Sequence, residues 1–325
     1  MNWTNLHAKL HKSLRKNQLL GKDLPLLVAV SGGQDSLCLL KLLLDLQPKW
    51  GWHLAIAHCD HRWSTDAGIS DRVAEIARSW HLPFYLETAQ YSIEETEAAA
   101  RKWRYQVLVA IAAREGFEIV VTGHTQSDLA ETLVYNLVRG TGADGMTALK
   151  PKRSLTAKIN LIRPLLEVSR SETGAFCRQF ALPVVEDKIN SNLKYSRNRI
   201  RAELIPYLQN HFNPQTEKAL ARTSELLRAD VEYLEARASM VLEEALNPDK
   251  RSLNRLYLRK VPLALQRRVI RQLFAKLWHK SPNFEETEAI VSLINAPNKT
   301  RTSSFTGGTN AEVKGEKIVF NSICQ

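Results

Sequence analysis

Residues 24–30 form an unbroken apolar run of strand length, Ser31-Gly32-Gly33 interrupts it, and from Gln34 the leucines 39, 40 and 43 recur at helical spacing. The pattern predicts a strand, a tight turn and a helix over 24–46. The alternation then repeats. Stretches 53–59, 83–87 and 117–122 read as strands, and 67–81, 94–115, 127–139 and 169–180 as helices. Strands alternating with helices imply an α/β fold with a doubly wound parallel sheet. Ligands of such sheets sit beyond the carboxyl ends of the strands. Those ends carry 31–36, His58-Cys59-Asp60-His61 and Gly123-His124, so three polar clusters converge on one rim.

The flanks have a different texture. Trp3, Leu6, Leu10 and Leu14 lie at helical spacing, with seven Lys, Arg or His and no acid before Asp23. A basic, acid-poor start is compatible with a transit peptide, but without an apolar core or small-residue cleavage site an amphipathic helix on the first domain is the better reading. From Gln215 the pattern is helical without alternation, notably over 216–246, and 300–320 reads as short strands and turns with Gly307-Gly308 and Lys314-Gly315. This gives a domain at 1–213 and a second, mainly helical one at 214–325.

Composition narrows the class. With 44% apolar and 24% charged residues the chain is globular, and no 18 apolar residues run together, which argues against a membrane span. The four cysteines lie at least 21 residues apart with no CxxC, which disfavours a disulfide framework, zinc knuckle or iron–sulfur site and suits a reducing, cytoplasmic compartment. A net charge of +11 favours a polyanionic partner. Residues 250–280 hold ten Lys or Arg and no acid, interleaved with Tyr257 and Trp278; read as more than a solvated face, the run is a surface for nucleic-acid phosphates.

The rim residues suggest the chemistry. Adjacent glycines at a helix start let backbone N–H groups converge on phosphate, although Gly-Gly is also a plain tight turn. Asp128 and Glu131 share one face of a helix start, where they complement the helix dipole or, beside a phosphate loop, hold Mg²⁺ or a substrate ammonium. Arg101 and Arg104 share a helical face and repel unless an anion lies between them or Glu94, Glu95 or Glu97 pairs with them. His58, Asp60 and His61 have metal-ligand chemistry, but neighbouring strand-end residues point in alternating directions.

A series of ordered motifs carries a resemblance. Ser31-Gly32-Gly33-Gln34-Asp35-Ser36 resembles the SGGxDS loop of the pyrophosphatase-type P-loop superfamily, whose members cleave ATP between α and β phosphates to adenylate a substrate. His58 to His61 resembles its HxDH element, with Ser64 where an Arg is usual, and Ala100 to Tyr105 its ARxxRY element. Gly123 to Thr132 followed by Arg139-Gly140-Thr141-Gly142 is similar to the tRNA(Ile)-lysidine synthetases, with Ser127 where many members have Asp. Arg163-Pro164-Leu165-Leu166 and Arg197-Asn198-Arg199-Ile200-Arg201 continue that series. The resemblance implies an adenine nucleotide alpha hydrolase-like fold, ATP and Mg²⁺ as cofactors, and tRNA(Ile) with a CAU anticodon plus free L-lysine as substrates. Its members adenylate the wobble cytidine and let lysine displace AMP, switching decoding from AUG to AUA. It further implies that Ser31, Gly32, Gly33, Gln34, Asp35 and Ser36 hold ATP and its departing pyrophosphate, with His58, Asp60, Gly123 and His124 flanking the nucleotide. Asp35 places the metal, Asp128 and Glu131 seat lysine or metal, and Arg101, Arg104, Arg197 and Arg201 bind phosphate or the activated base. The second domain grips tRNA; longer members carry a further domain. A sister tRNA-thiolating enzyme shares the loop but uses nearby cysteines, and a non-catalytic RNA-binding protein leaves the loop without a purpose.

Overall fold

Leu26 and Val28 of strand β1 (Pro25–Ala29) pack into one apolar cluster and Leu27 into another, all three fully buried. A strand buried on both sides belongs at the centre of a sheet covered by helices on both faces. The computed structural model of the protein describes residues 3–63, 66–91, 93–94, 96–147, 149–185, 193–279, 281–305 and 308–322. Ser64, Glu95, the stretch 187–192, Lys280, Gly307 and Cys324 lie outside the described residues. The chain divides into two compact units, Met1–Glu225 and Leu226–Gln325.

In the first unit, α1 (Asn5–Lys16) precedes β1, and α2 (Gln34–Trp50), β2 (His53–Asp60), α3 (Ile69–Ser79), β3 (Phe84–Thr88), α4 (Glu97–Glu115) and β4 (Ile119–Thr122) follow. Then come α5 (Gln126–Val138), α6 (Ala143–Met146), β5 (Lys152–Ser154), β6 (Asn160–Ile162), α7 (Arg170–Gln179), α8 (Ser196–Arg199) and α9 (Ile205–His211). The strands are ordered β3-β2-β1-β4-β6-β5, all parallel except β5. Leucines of α1 and α2, with α3 and α7, cover one face, and Leu108, Ile111 and Ala112 of α4 cover the other. This is the doubly wound α/β fold that the alternating pattern predicts. Its strand order reverses between β1 and β4, so a crevice opens beyond their carboxyl ends.

Two departures have physical causes. Helix α4 starts at Glu97 rather than 94 because the Thr96 hydroxyl caps it, accepting from Ala99 N at 3.2 Å. The hairpin β5–β6 has no signature in the pattern, since β5 is Lys-Arg-Ser with all three residues exposed and β6 is three residues long.

The division at Glu225 falls inside the helix α10 (Thr216–Ala245), whereas the composition shift near 213 marks where that helix begins. In the second unit, the later part of α10 packs with α11 (Arg255–Arg259), α12 (Leu263–Trp278), α13 (Phe284–Leu293) and the sheet β7-β9-β8 (Ser252–Asn254, Lys317–Ser322, Thr309–Lys314). Much of the basic run 250–280 serves this packing. Buried Arg255 donates to the carbonyls of Ile294 (3.1 Å) and Ala296 (2.6 Å), Arg259 donates to Ile294 O (3.0 Å), and Arg267 forks onto Glu288 at 2.6 and 2.9 Å. Arg268 pairs with Glu235 at 3.1 Å. The acids missing from the run are supplied by α10 and α13, which leaves Lys250, Arg251, Lys260 and Lys276, with the carbonyl-bonded Arg259, as the exposed cations among its described residues.

Candidate active site

After β1 the chain turns through Gly32 at φ +84°, where a Cβ would also come 3.1 Å from Ile69 Cγ2. The turn is braced internally: Ser36 Oγ donates to Gly33 O (2.8 Å) and accepts from Ser31 N (3.2 Å). Helix α2 therefore begins with its free N–H groups at the crevice. Helix α7 fixes the side chains of its first turn. Gln34 Nε2 donates to Arg170 O (2.7 Å) and Thr173 Oγ1 (2.8 Å), the Thr173 hydroxyl donates to Asp35 Oδ1 (2.5 Å), and Arg170 Nη1 stands 3.5 Å from Asp35 Oδ2. Burial pushes the Asp35 carboxyl up, opposed by Thr173 and Arg170 and reinforced by Asp128.

The second wall follows β4. A Cβ on Gly123 would lie 2.8 Å from the carbonyl oxygen of Asp35 and 3.0 Å from Ser36 N, backbone atoms that cannot step aside. We expect Gly123→Ala to displace the 31–36 turn and weaken ATP binding by about 10²-fold, the scale of a 1 Å misplacement at a reacting centre, as read by titration with ATP. Unchanged affinity would show that the two walls are not in register.

Thr125 and Asp128 form a capping box at the start of α5, with Asp128 Oδ2 accepting from Thr125 N (2.7 Å) and Oγ1 (2.8 Å). Burial works against ionisation of Asp128, but His124, Thr125 and Arg201 hold its carboxyl below the usual range. Burial pushes His124 down to about 3, against Asp128 and with help from Arg163, Arg101 and Arg104, so the ring is neutral at pH 7 and Thr125 and Arg201 are what keep Asp128 ionised there. Between pH 6.5 and about 3 the unfolded chain thus binds a proton at His124 that the folded chain does not. Stability falls as pH drops through that window, and we expect His124→Asn to flatten this part of the acid-unfolding profile.

Ser127 closes the wall from behind. It is buried, donates to Glu217 (2.9 Å) and accepts from Arg170 N at the start of α7 (3.2 Å), a place where a second carboxylate would face Glu217.

Arg201 arrives from the RNRIR stretch through a π-helical turn, Ile200–Leu204. Pro206 has no N–H to continue the ordinary ladder, and the wider turn accommodates it. Arg201 Nε and Nη2 fork onto Glu131 at 2.7 and 2.9 Å, and Nη2 reaches Asp128 Oδ1 at 3.3 Å. Burial raises the Glu131 carboxyl and Arg201 opposes it, while the guanidinium itself is held above its usual value, chiefly by Glu131 against burial; a fork this short is an ion pair at pH 7.

These walls enclose a cavity of about 310 Å³, of ligand-pocket size. Of the residues expected at the site, Ser31, Gly33, Gln34, Asp35, Ser36, Arg104, Gly123, His124, Asp128 and Arg201 line it. Gly32 supports the turn from beneath, and Glu131 lies behind Arg201 at 4% exposure. Strand parity turns His58 and Asp60 away: His58 Nδ1 bonds Val30 O (2.7 Å), and Asp60 accepts from Arg62 N (2.8 Å) and Ser70 Oγ (3.3 Å). Their neighbours Cys59 and His61 line the cavity instead, His61 between Trp63 and Trp103 with its Nε2 unpartnered among the described residues. Arg101 and Arg197 also stay outside it, with Arg197 bonding Thr132 Oγ1 at 3.4 Å. Arg170 and Tyr105 line it without having been expected there; Arg170 opens the helix that follows the RPLL string, and Tyr105 ends the ARxxRY string.

The donor set fits Mg²⁺ together with a polyphosphate. Asp35 and Asp128 offer hard oxygens on facing walls and repel each other, and Mg²⁺ commonly takes one or two carboxylates and fills its shell with phosphate oxygens and water. Among the described residues no group of three His, Cys, Asp or Glu is gathered for a protein-only metal site.

Comparison with known proteins bears on the site and the whole chain. Residues 4–208 match a family described as a PP-loop domain. A tRNA(Ile)-lysidine synthase from Nostoc sp. is 53% identical over 99% of this chain and 98% of its own length, and one from Synechocystis sp. is 55% identical over 97% of each. A chloroplastic tRNA(Ile)-lysidine synthase from Pyropia yezoensis is 38% identical over 89% of this chain and 88% of its own. Among solved structures, a U34-tRNA thiolase from Methanococcus maripaludis shares the fold, with a TM-score of 0.58 at 16% identity over 68% of this chain and 77% of its own.

Proposed function

We infer the function from the family: the chain belongs to the tRNA(Ile)-lysidine synthases, PP-loop proteins similar to it along nearly its whole length. It is an ATP-dependent tRNA-modifying ligase. We propose that it joins L-lysine to the wobble cytidine of the CAU anticodon of tRNA(Ile). The reading rests chiefly on one juxtaposition, the 31–36 turn, Asp35 and Asp128 in a single cavity at the point where strand order reverses.

The residues have distinct tasks. The free N–H groups at the start of α2 and the Arg170 guanidinium line the cavity and would hold the phosphates of ATP, so charge that builds on departing pyrophosphate would meet fixed donors. Mg²⁺ held by Asp35 would neutralise phosphate charge and orient the chain of phosphates. The cytosine O2 attacks the α phosphorus and pyrophosphate leaves; the amine nitrogen of lysine then attacks C2 and AMP leaves with the C–O bond electrons. Asp128 is the carboxylate available to the ammonium end of lysine, because Glu131 is engaged by Arg201. Arg201 lines the same cavity, where its guanidinium faces the activated base. Neutral His124 lines the nucleotide side as a hydrogen-bonding ring, and the His61 ring lines the same cavity.

Thiolation is the chemistry named for the tRNA thiolase that shares this fold, and Cys59 is the cysteine lining the cavity among the described residues. Burial pushes its thiol up to about 12, so it is protonated at pH 7, whereas sulfur transfer needs a thiolate. With ATP labelled at the α phosphate and no lysine present, labelled AMP is expected to accumulate on tRNA and to be released when lysine is added. Label that never reaches tRNA, with ATP bound, would overturn the reading.

A further inference from the structure

Arg163 is 1% exposed, yet no carboxylate pairs with it among the described residues: Nη1 donates to Lys150 O (2.6 Å), Nη2 lies 3.4 Å from Tyr105 Oη, and Nε is unpartnered. A buried guanidinium without a counter-charge is strongly unfavourable unless another group supplies one. Two further guanidiniums stand by the same ring, Arg153 at 4.9 Å and Arg101 at 5.7 Å from the Tyr105 centroid, and Arg104 lines the cavity beside it. Neither Arg101, Arg104 nor Arg153 forms an ion pair with a carboxylate among the described residues. Burial alone would raise the Tyr105 hydroxyl, but Arg163, Arg101 and Arg153 outweigh it and hold it below the usual phenol value, which reports how positive this corner is. Four cations gathered without an acid among the described side chains repel one another and favour an anion between them.

The corner is distinct from the phosphate turn. The turn follows β1, whereas Arg153 sits on β5, the edge strand on the far side of β4 and β6, opposite Leu161 in an antiparallel hairpin. Arg153 is exposed and Arg101 half-buried, and both stand outside the cavity that Arg104 and Tyr105 enter. A base that reacts inside the cavity must leave its stack, and the phosphates flanking it then lie at the mouth. We infer that Arg153 and Arg101, held against Tyr105 and backed by Arg163, form a backbone-phosphate subsite for the RNA strand next to the nucleotide being modified. The inference rests on the RNA-modifying function proposed above. A lysine carboxylate is the competing anion, but it must lie within reach of the reacting base, and the exposed arginine lies beyond the mouth.

The full chain, Arg153→Ala and Arg153→Lys would be compared by tRNA binding across salt concentrations, with ATP affinity in the absence of RNA as the folding control. For one lost phosphate contact, the slope of log affinity against log salt should fall by about 0.7 to 0.9, and affinity at 0.1 M salt by roughly fivefold or more. Arg153→Lys should recover most of the slope. Unchanged slope with a raised lysine requirement would assign the corner to the amino acid and overturn the inference. Unchanged slope and lysine requirement, or loss of ATP affinity along with RNA affinity, would make Arg153 surface or structural and overturn it equally. A parent chain that binds tRNA but never transfers lysine would be a failure of the proposed function and would take this inference with it; an active parent with an unaltered variant would sink this inference alone.

Discussion

Asp35→Ala is expected to lower lysidine formation by 10²-fold or more while the protein still folds and binds tRNA. The carboxylate lies in the first turn of α2, directly beside the N–H groups that face phosphate, and three partners on α2 and α7, Gln34, Thr173 and Arg170, set its position. Such a holder is built to place a charge. Removing a group that stabilises charge only as it develops costs roughly 10² to 10³ in rate. The loss should appear in the adenylation step, followed as transfer of the α phosphate to tRNA, and added Mg²⁺ should not restore it. Thr173→Val keeps the carboxylate but frees it to rotate, so its defect should be smaller and partly restored by Mg²⁺. Normal turnover in Asp35→Ala with normal Mg²⁺ dependence would remove this loop from the mechanism.

Arg201→Ala should produce the second large effect, and in stability as well as activity. The Glu131 side chain is 5% exposed, and Arg201 is its bidentate partner. Breaking a buried pair by removing one member costs about 3 to 5 kcal/mol because the other charge stays behind. Without Arg201 the folded-state pKa of Glu131 rises further above its unfolded value. Such a group loses stability as pH rises from the unfolded pKa through the folded one, so the deficit of Arg201→Ala should shrink on acidification below pH 7. Adding Glu131→Gln to Arg201→Ala removes the stranded charge, and the double variant should be more stable than Arg201→Ala alone, with a coupling energy of about 1 to 3 kcal/mol. Lysidine formation should remain low in both, since the guanidinium that faces the cavity is gone. Additive effects on stability would show that the fork carries no energy of its own.

The sequence made the strand, turn and helix around 31–36 legible because an apolar run, two glycines and helical leucines are all local signals. The convergence of Asp35 with Asp128 was legible too, as both follow parallel strands and must emerge on the same rim. What escaped were pairings between distant residues. Thr173 and Arg170 meet Asp35 across a gap in sequence that no periodicity encodes. Glu131 and Asp128 look equivalent on a helical wheel, yet the π-helical turn before Pro206 aims Arg201 so that Glu131 is covered and Asp128 is left at the cavity. At the end of β2 the motif alone does not encode which parity faces the cavity: His58 and Asp60 turn to backbone and side-chain partners, and Cys59 and His61 line it. The basic run 250–280 looked unopposed because its acids, Glu235 and Glu288, lie outside that window.

The most direct test incubates the full chain with ATP, labelled lysine and tRNA(Ile) bearing a CAU anticodon, alongside the same tRNA with the wobble cytidine replaced by uridine. Lysine should enter the first tRNA only when ATP is present, with one AMP released for each lysine joined, and should not enter the second. Lysine incorporation that ignores the wobble base, or ATP cleavage on the first tRNA without lysine incorporation, would contradict the account.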